Sequence, residues 1–139
     1  MAFVADASMT LAWYLRDEDS EAANRVRARL LQEDICVPVH WALEVSNALL
    51  AAVRRERITL QELRELTPDL RLLPELVDIH TDASAWSVTL NLAVEHNLTT
   101  YDAAYLELAL RLKLPLATLD RRLHDAALAA GAAIVSELL

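Results

Sequence analysis

The chain has 139 residues, 55% hydrophobic and 24% charged, with a net charge of −8, an isoelectric point near 4.9 and mean hydropathy of +0.21. That composition excludes intrinsic disorder, and the length suits one domain over residues 1–139, since domains run to about 100–150 residues. A single glycine, Gly131, excludes a phosphate-cradling P-loop, a GxGxxG fingerprint and a G-x-S-x-G elbow, while the lone Cys36 cannot form an internal disulfide.

Acidity argues at first against nucleic acid, whose binders carry a basic footprint, although net charge averages over faces. The segment Met1-Ala2-Phe3-Val4-Ala5-Asp6 lacks a basic n-region and meets a carboxylate too early for a signal sequence. No run reaches the roughly 18 apolar residues of a membrane span. A soluble, cytoplasmic chain without a membrane partner is expected.

In chain order, Phe3-Val4-Ala5 is a short apolar run ending at Asp6 and reads as a buried strand. Ser8 can cap the helix that follows through Leu11, Trp13, Tyr14 and Leu15. A second helix is expected from about Glu21 to Gln32, with Ala22, Val26, Leu30 and Leu31 facing inward. Ile35-Cys36-Val37 predicts a strand closed by Pro38, which can open a long apolar helix from about Val39 to Arg55. Ile58 to Leu73 reads as one or two shorter helices punctuated by Pro68 and Pro74. Leu76-Val77-Asp78-Ile79 alternates like a strand. Helical spacing covers Ala83–His96 and Thr100–Leu112, and Leu114–Thr118 is a strand candidate with its proline near the start. Arg121–Ala130 is a helix stopped by Gly131, and Ala133-Ile134-Val135 a closing strand. Strands alternating with helices predict an α/β fold, its mostly parallel sheet of about five short strands covered on both faces.

Most of the 21 acids sit where solvent accepts them; four do not. Asp6 ends the first strand, and ligands of open α/β sheets bind outside the carboxyl ends of strands. Asp120 ends the Leu116–Thr118 strand, with Thr118 two residues earlier on the same side of an extended chain. Either aspartate also suits a turn or a helix cap. Glu44 falls on the wheel among Trp41, Val45, Ala48, Leu49 and Ala52, so it should be paired, protonated or bound to a metal; a rim salt bridge is the alternative. Asp102 opens a helix, where the dipole favours it. It lies beside Leu106 and Ala109, away from the polar Glu107–Arg111 strip, and so points toward the protein. Hard cations such as Mg²⁺ and Mn²⁺ are held by such oxygen clusters. His40, His80, His96 and His124 are scattered singly, which argues against zinc.

Val4-Ala5-Asp6-Ala7-Ser8, Ala42-Leu43-Glu44-Val45-Ser46-Asn47-Ala48-Leu49, Thr100-Tyr101-Asp102-Ala103-Ala104-Tyr105 and Leu116-Ala117-Thr118-Leu119-Asp120 follow one another in the order and spacing of a PIN domain. The chain resembles the VapC toxins, the ribonuclease half of bacterial and archaeal toxin–antitoxin pairs. This resemblance implies a three-layer α/β/α sandwich and a Mg²⁺- or Mn²⁺-dependent endoribonuclease. It also implies a cognate antitoxin as inhibitor and a homodimer. By position Asp6, Glu44, Asp102 and Asp120 would be the acidic quartet around the metal, with Ser8, Asn47 and Thr118 in support. Arg121-Arg122 stand where some relatives carry another acid, which argues against a second tightly held ion. Arg54, Arg55, Arg57, Arg121 and Arg122 are candidates for the RNA backbone, or solvated helix ends. A receiver-like phospho-acceptor domain and a catalytically silent PIN-like module are the rival readings. The receiver is disfavoured because Lys113 precedes its strand.

Overall fold

A computed structural model describes residues Met1–Leu139. β1 (Ala2–Ala5), β2 (Asp34–Pro38), β3 (Glu75–Asp78) and β4 (Leu116–Ala117) form one parallel sheet in the order β3-β2-β1-β4. In register, Val4 lies opposite both Cys36 and Leu116, and Ala5 opposite Ala117. Phe3, Val4, Ala5, Ile35 and Val37 are fully buried, as strands covered on both faces must be. Burying the larger of these, Phe3, Val4, Ile35 and Val37, contributes roughly 1.5–3 kcal/mol each. The fifth strand expected at Ala133–Val135 is reduced to one parallel bridge between Leu116 and Ile134. β4 has only two residues, and the chain turns into a 3₁₀ segment at Ser136–Leu138, so no longer ladder can grow.

The strands are joined by helices, as parallel pairing requires. α1 (Ala7–Tyr14) is capped by Asp6 rather than Ser8: the Met9 N–H donates to Asp6 Oδ1 at 3.0 Å. α2 (Glu21–Ala28) begins at a Ser20 cap and ends in a 3₁₀ turn over Arg29–Leu31. That tighter turn advances about three residues per revolution, so Leu31 leaves the inward arc and is 87% exposed. α3 (Trp41–Arg54) buries Trp41, Val45, Leu49 and Ala52. The Ile58–Leu73 region is a single helix, α4 (Leu60–Arg71), which carries Pro68 inside it.

α5 (Thr81–Ser84) opens into a π turn at Ala85–Thr89 and continues as α6 (Leu90–His96). α7 (Thr100–Leu112) buries Ala103 through Ala109 and packs on β1, β2 and β4. α8 (Arg121–Ala129) precedes Gly131, whose φ of +82° suits glycine beyond a helix end. α6 and α8 join α7, while α2 and α3 join α1. The result is the three-layer α/β/α arrangement. No helix is long and apolar enough to cross a membrane.

One expectation fails inside α7. Glu107 and Arg111 are not a solvated strip: Glu107 is buried, and Arg111 bridges it to Asp78 at the end of β3. Arg111 donates to Asp78 at 2.6 and 3.3 Å and to Glu107 at 2.7 and 3.2 Å, while Ser84 donates to Glu107 at 3.0 Å. Burial alone would raise the Asp78 carboxyl, but the Arg111 guanidinium holds it below the usual range. The wheel could not show this, because the partner comes from a strand 33 residues away.

Candidate active site

β2 and β3 step away from β1 in one direction, and β4 lies on its other side. Strand order therefore reverses between β1 and β4, where open α/β sheets bind ligands outside the strands' carboxyl ends. Asp6 follows β1 at that crevice, and Thr118 and Asp120 follow β4.

Asp6 is buried, and its carboxylate is held on both oxygens. Oδ1 accepts from Ser8 Oγ at 2.7 Å and from the Met9 N–H; Oδ2 accepts from Thr118 Oγ1 at 2.6 Å. The two hydroxyls in turn accept backbone hydrogens, Ser8 from Leu119 at 3.0 Å and Thr118 from Asp120 at 3.0 Å. Their protons are thus committed to Asp6, and the 3.3 Å approach between them is a contact rather than a bond. Thr10 donates to the Asp6 carbonyl at 3.1 Å and accepts from Trp41 Nε1 at 3.1 Å, linking the start of α1 to α3. Burial pushes the Asp6 carboxyl up to about 6, against the pull of Thr118, Ser8 and Met9; Asp102 raises it further.

Glu44 stands in the first turn of α3, and its side chain is 29% exposed, less sheltered than its apolar arc suggests. The pairing expected of it is present. Tyr105 Oη donates to Oε1 at 2.7 Å, and His40 Nε2 lies 3.2 Å from the same oxygen. That nitrogen is also 3.1 Å from the Tyr101 carbonyl; with acceptors on both sides it carries the hydrogen. Asp102 is half-buried in the first turn of α7, where Thr99 caps the helix. Burial raises its carboxyl, and the charges of Asp120 and Glu44 raise it further. Asp120 is exposed and caps α8, accepting from the Leu123 N–H at 2.9 Å.

The four predicted acids are therefore linked electrostatically through Asp102, which acts on Asp6 and is acted on by Asp120 and Glu44. Asn47 is exposed one turn beyond Glu44. Arg121 and Arg122 are exposed beside Asp120, and Arg121 lines an open cleft of about 310 Å³ with Thr118, Leu119, Asp120, His124 and Leu138. Arg54 and Arg55 lie at the far end of α3 from Glu44, and Arg57 is committed to Asp17 at 2.7 Å and Glu18 at 2.8 Å. Sequence reading missed Tyr105 and His40. The available signals were a tyrosine on an inward arc, whose hydroxyl must find a partner, and a histidine four residues before Glu44.

No three acidic, His or Cys side chains stand close enough to chelate an ion among themselves. The donor set nonetheless fits a hard divalent cation: the oxygens are carboxylate, burial raises Asp6 and Asp102, and the neighbouring acids raise both further. Mg²⁺ in particular binds through few carboxylates and keeps several waters.

A model of the PIN domain matches residues 3–128. The chain belongs to the PIN-domain family. Ribonuclease VapC3 of Pyrobaculum aerophilum is 32% identical over 125 residues, 90% of this chain and 94% of that one. Ribonuclease VapC1 of Mycobacterium tuberculosis is 37% identical over 98 residues, 70% of this chain and 71% of that protein. The crystal structure of PAE2754 from P. aerophilum superposes with a TM-score of 0.67 at 29% identity, covering 99% of this chain and 95% of that one. This PIN domain is accordingly a member of the VapC family, and the receiver-like reading is set aside. Lys113, its only lysine, caps α7 before β4, at the opposite end of that strand from Asp120.

Proposed function

We propose that this PIN domain, as one unit over residues 1–139, is the toxin of a type II toxin–antitoxin pair. It is a Mg²⁺- or Mn²⁺-dependent endoribonuclease, blocked by a cognate antitoxin and working as a cytoplasmic homodimer. The observation that carries this reading is the convergence of Asp6, Glu44, Asp102 and Asp120 from four separate elements, with burial and mutual charge raising Asp6 and Asp102. Relatives named ribonuclease supply the substrate class.

The chemistry a bound Mg²⁺ or Mn²⁺ supplies is neutralisation of charge on phosphoryl oxygens and acidification of water. Asp6, Asp102, Asp120 and Glu44 would hold it. Ser8 and Thr118 fix the Asp6 carboxylate, so its orientation is set before any ligand arrives. Oδ2 accepts only one hydrogen bond and keeps a lone pair available. Glu44 is partly open to water, and were it not to bind the ion it would instead suit acceptance of a proton from the attacking water in an in-line displacement. Arg121 and Arg122 meet the RNA backbone next to Asp120.

The test is cleavage of RNA by wild type, Asp6→Ala and Asp102→Asn with Mg²⁺ or Mn²⁺ and with EDTA. Ion-dependent cleavage by wild type alone supports the assignment. Equal cleavage by all three proteins would sink it, and no cleavage by any would favour the silent module.

A further inference from the structure

We infer that Tyr105 is a positioning residue of this site, its hydroxyl holding Glu44 Oε1 so that Oε2 is the oxygen left to receive a divalent ion. The inference rests on the proposed metal-dependent reading and adds a residue to it. Tyr105 is fully buried, so phenylalanine would serve packing equally well; the single hydrogen bond of its hydroxyl goes to Glu44 at 2.7 Å. His40 approaches the same oxygen at 3.2 Å and packs edge-on against the Tyr105 ring, with centroids 5.3 Å apart. Both polar neighbours thus crowd Oε1, and Oε2 has no protein hydrogen bond.

The bond also sets a distance between elements. Glu44 is on α3 and Tyr105 on α7, 61 residues apart, and Asp102 lies three residues before Tyr105 on the same side of α7. Tying Tyr105 to Glu44 therefore ties two of the proposed ligands. A glutamate in the first turn of a helix and partly exposed would otherwise sample several rotamers. Hydrogen bonds that orient metal-binding carboxylates commonly matter about 10–100-fold in affinity or activity.

The experiment compares the full chain as wild type, Tyr105→Phe, Glu44→Gln, the double variant, and Tyr14→Phe as a remote control. Mn²⁺ affinity is read by electron paramagnetic resonance without RNA, and kcat and KM on RNA are measured separately. Tyr105→Phe is expected to weaken Mn²⁺ binding and lower kcat by about 10–100-fold, leaving KM for RNA nearly unchanged, with Tyr14→Phe like wild type. The double variant should be no worse than Glu44→Gln alone, since both act through one carboxylate. A folded Tyr105→Phe with wild-type Mn²⁺ affinity and kcat overturns the inference, as do additive losses in the double variant. Should Tyr105→Phe not fold, Glu44→Asp decides: it withdraws the carboxylate from an intact Tyr105, and unchanged Mn²⁺ affinity overturns the inference. Absence of RNA cleavage by wild type refutes the nuclease reading alone, because the Mn²⁺ measurement still judges Tyr105.

Discussion

Replacing Asp6 by asparagine should stabilise the ion-free protein at neutral pH and leave it unchanged in acid. Asn caps a helix as well as Asp does, so the Met9 N–H keeps its acceptor. Thr118 Oγ1 can rotate to accept from the new amide. What is removed is a buried charge. The Asp6 carboxyl titrates at about 6 when folded against an ordinary value of 3.8. The folded state therefore binds a proton more tightly than the unfolded state, and stability from this group is complete below pH 3.8 and lost as pH rises through 6. At about 1.36 kcal/mol for each pH interval, the loss comes to about 3 kcal/mol. In EDTA, urea unfolding from pH 4 to 8 should show the variant within about 0.5 kcal/mol of wild type near pH 4 and more stable by up to about 3 kcal/mol at pH 8. Subtracting the two proteins cancels the titrating groups that do not feel Asp6, leaving Asp6 and its coupled neighbour Asp102. An offset equal at both ends of the range, or a variant less stable at pH 8, would refute the reasoning.

Arg111→Met leaves Asp78 and Glu107 buried without their cation and should destabilise by about 3–5 kcal/mol; adding Asp78→Asn and Glu107→Gln should restore much of this, read by urea unfolding. Thr118→Val removes a donor to Asp6 and an acceptor for the Asp120 N–H, and should lower stability by about 1–2 kcal/mol. It should also weaken Mn²⁺ binding, measured by calorimetry. Two arginine contacts to single-stranded RNA give a slope of log affinity on log salt of about −1.4, and Arg121→Ala or Arg122→Ala should reduce it by about 0.7. Arg57→Ala should leave that slope unaltered, because Arg57 is spent on Asp17 and Glu18.

The acids at the strand ends were legible because strand ends are marked locally: an apolar run stops at Asp6, and another two residues before Asp120. Their meeting was not, since Thr118 reaches Asp6 across 112 residues of chain only because β4 pairs with β1. The Glu44 arc was legible in period but not in depth; Glu44 sits in the first turn of α3, where the core gives out toward the crevice. Glu107 erred in the opposite sense. Its charge reads as solvated on any wheel, and only Asp78 and Arg111 together make its burial tolerable.

The same hydroxyls that orient Asp6 also tie the ends of β1 and β4 together, so site and fold share these hydrogen bonds. Thr118 bridges the ends of β1 and β4, a pairing of only two residues that would otherwise be a weak margin. Carboxylate repulsion at that end opposes closure, and a divalent ion would remove it. Setting the four site acids aside moves the formal balance from −8 to −4, still acidic. On the proposed reading, an RNA backbone approaching so acidic a surface would meet its attraction only at Arg121, Arg122 and a bound ion. On that reading, ion removal should weaken RNA binding as well as stop cleavage.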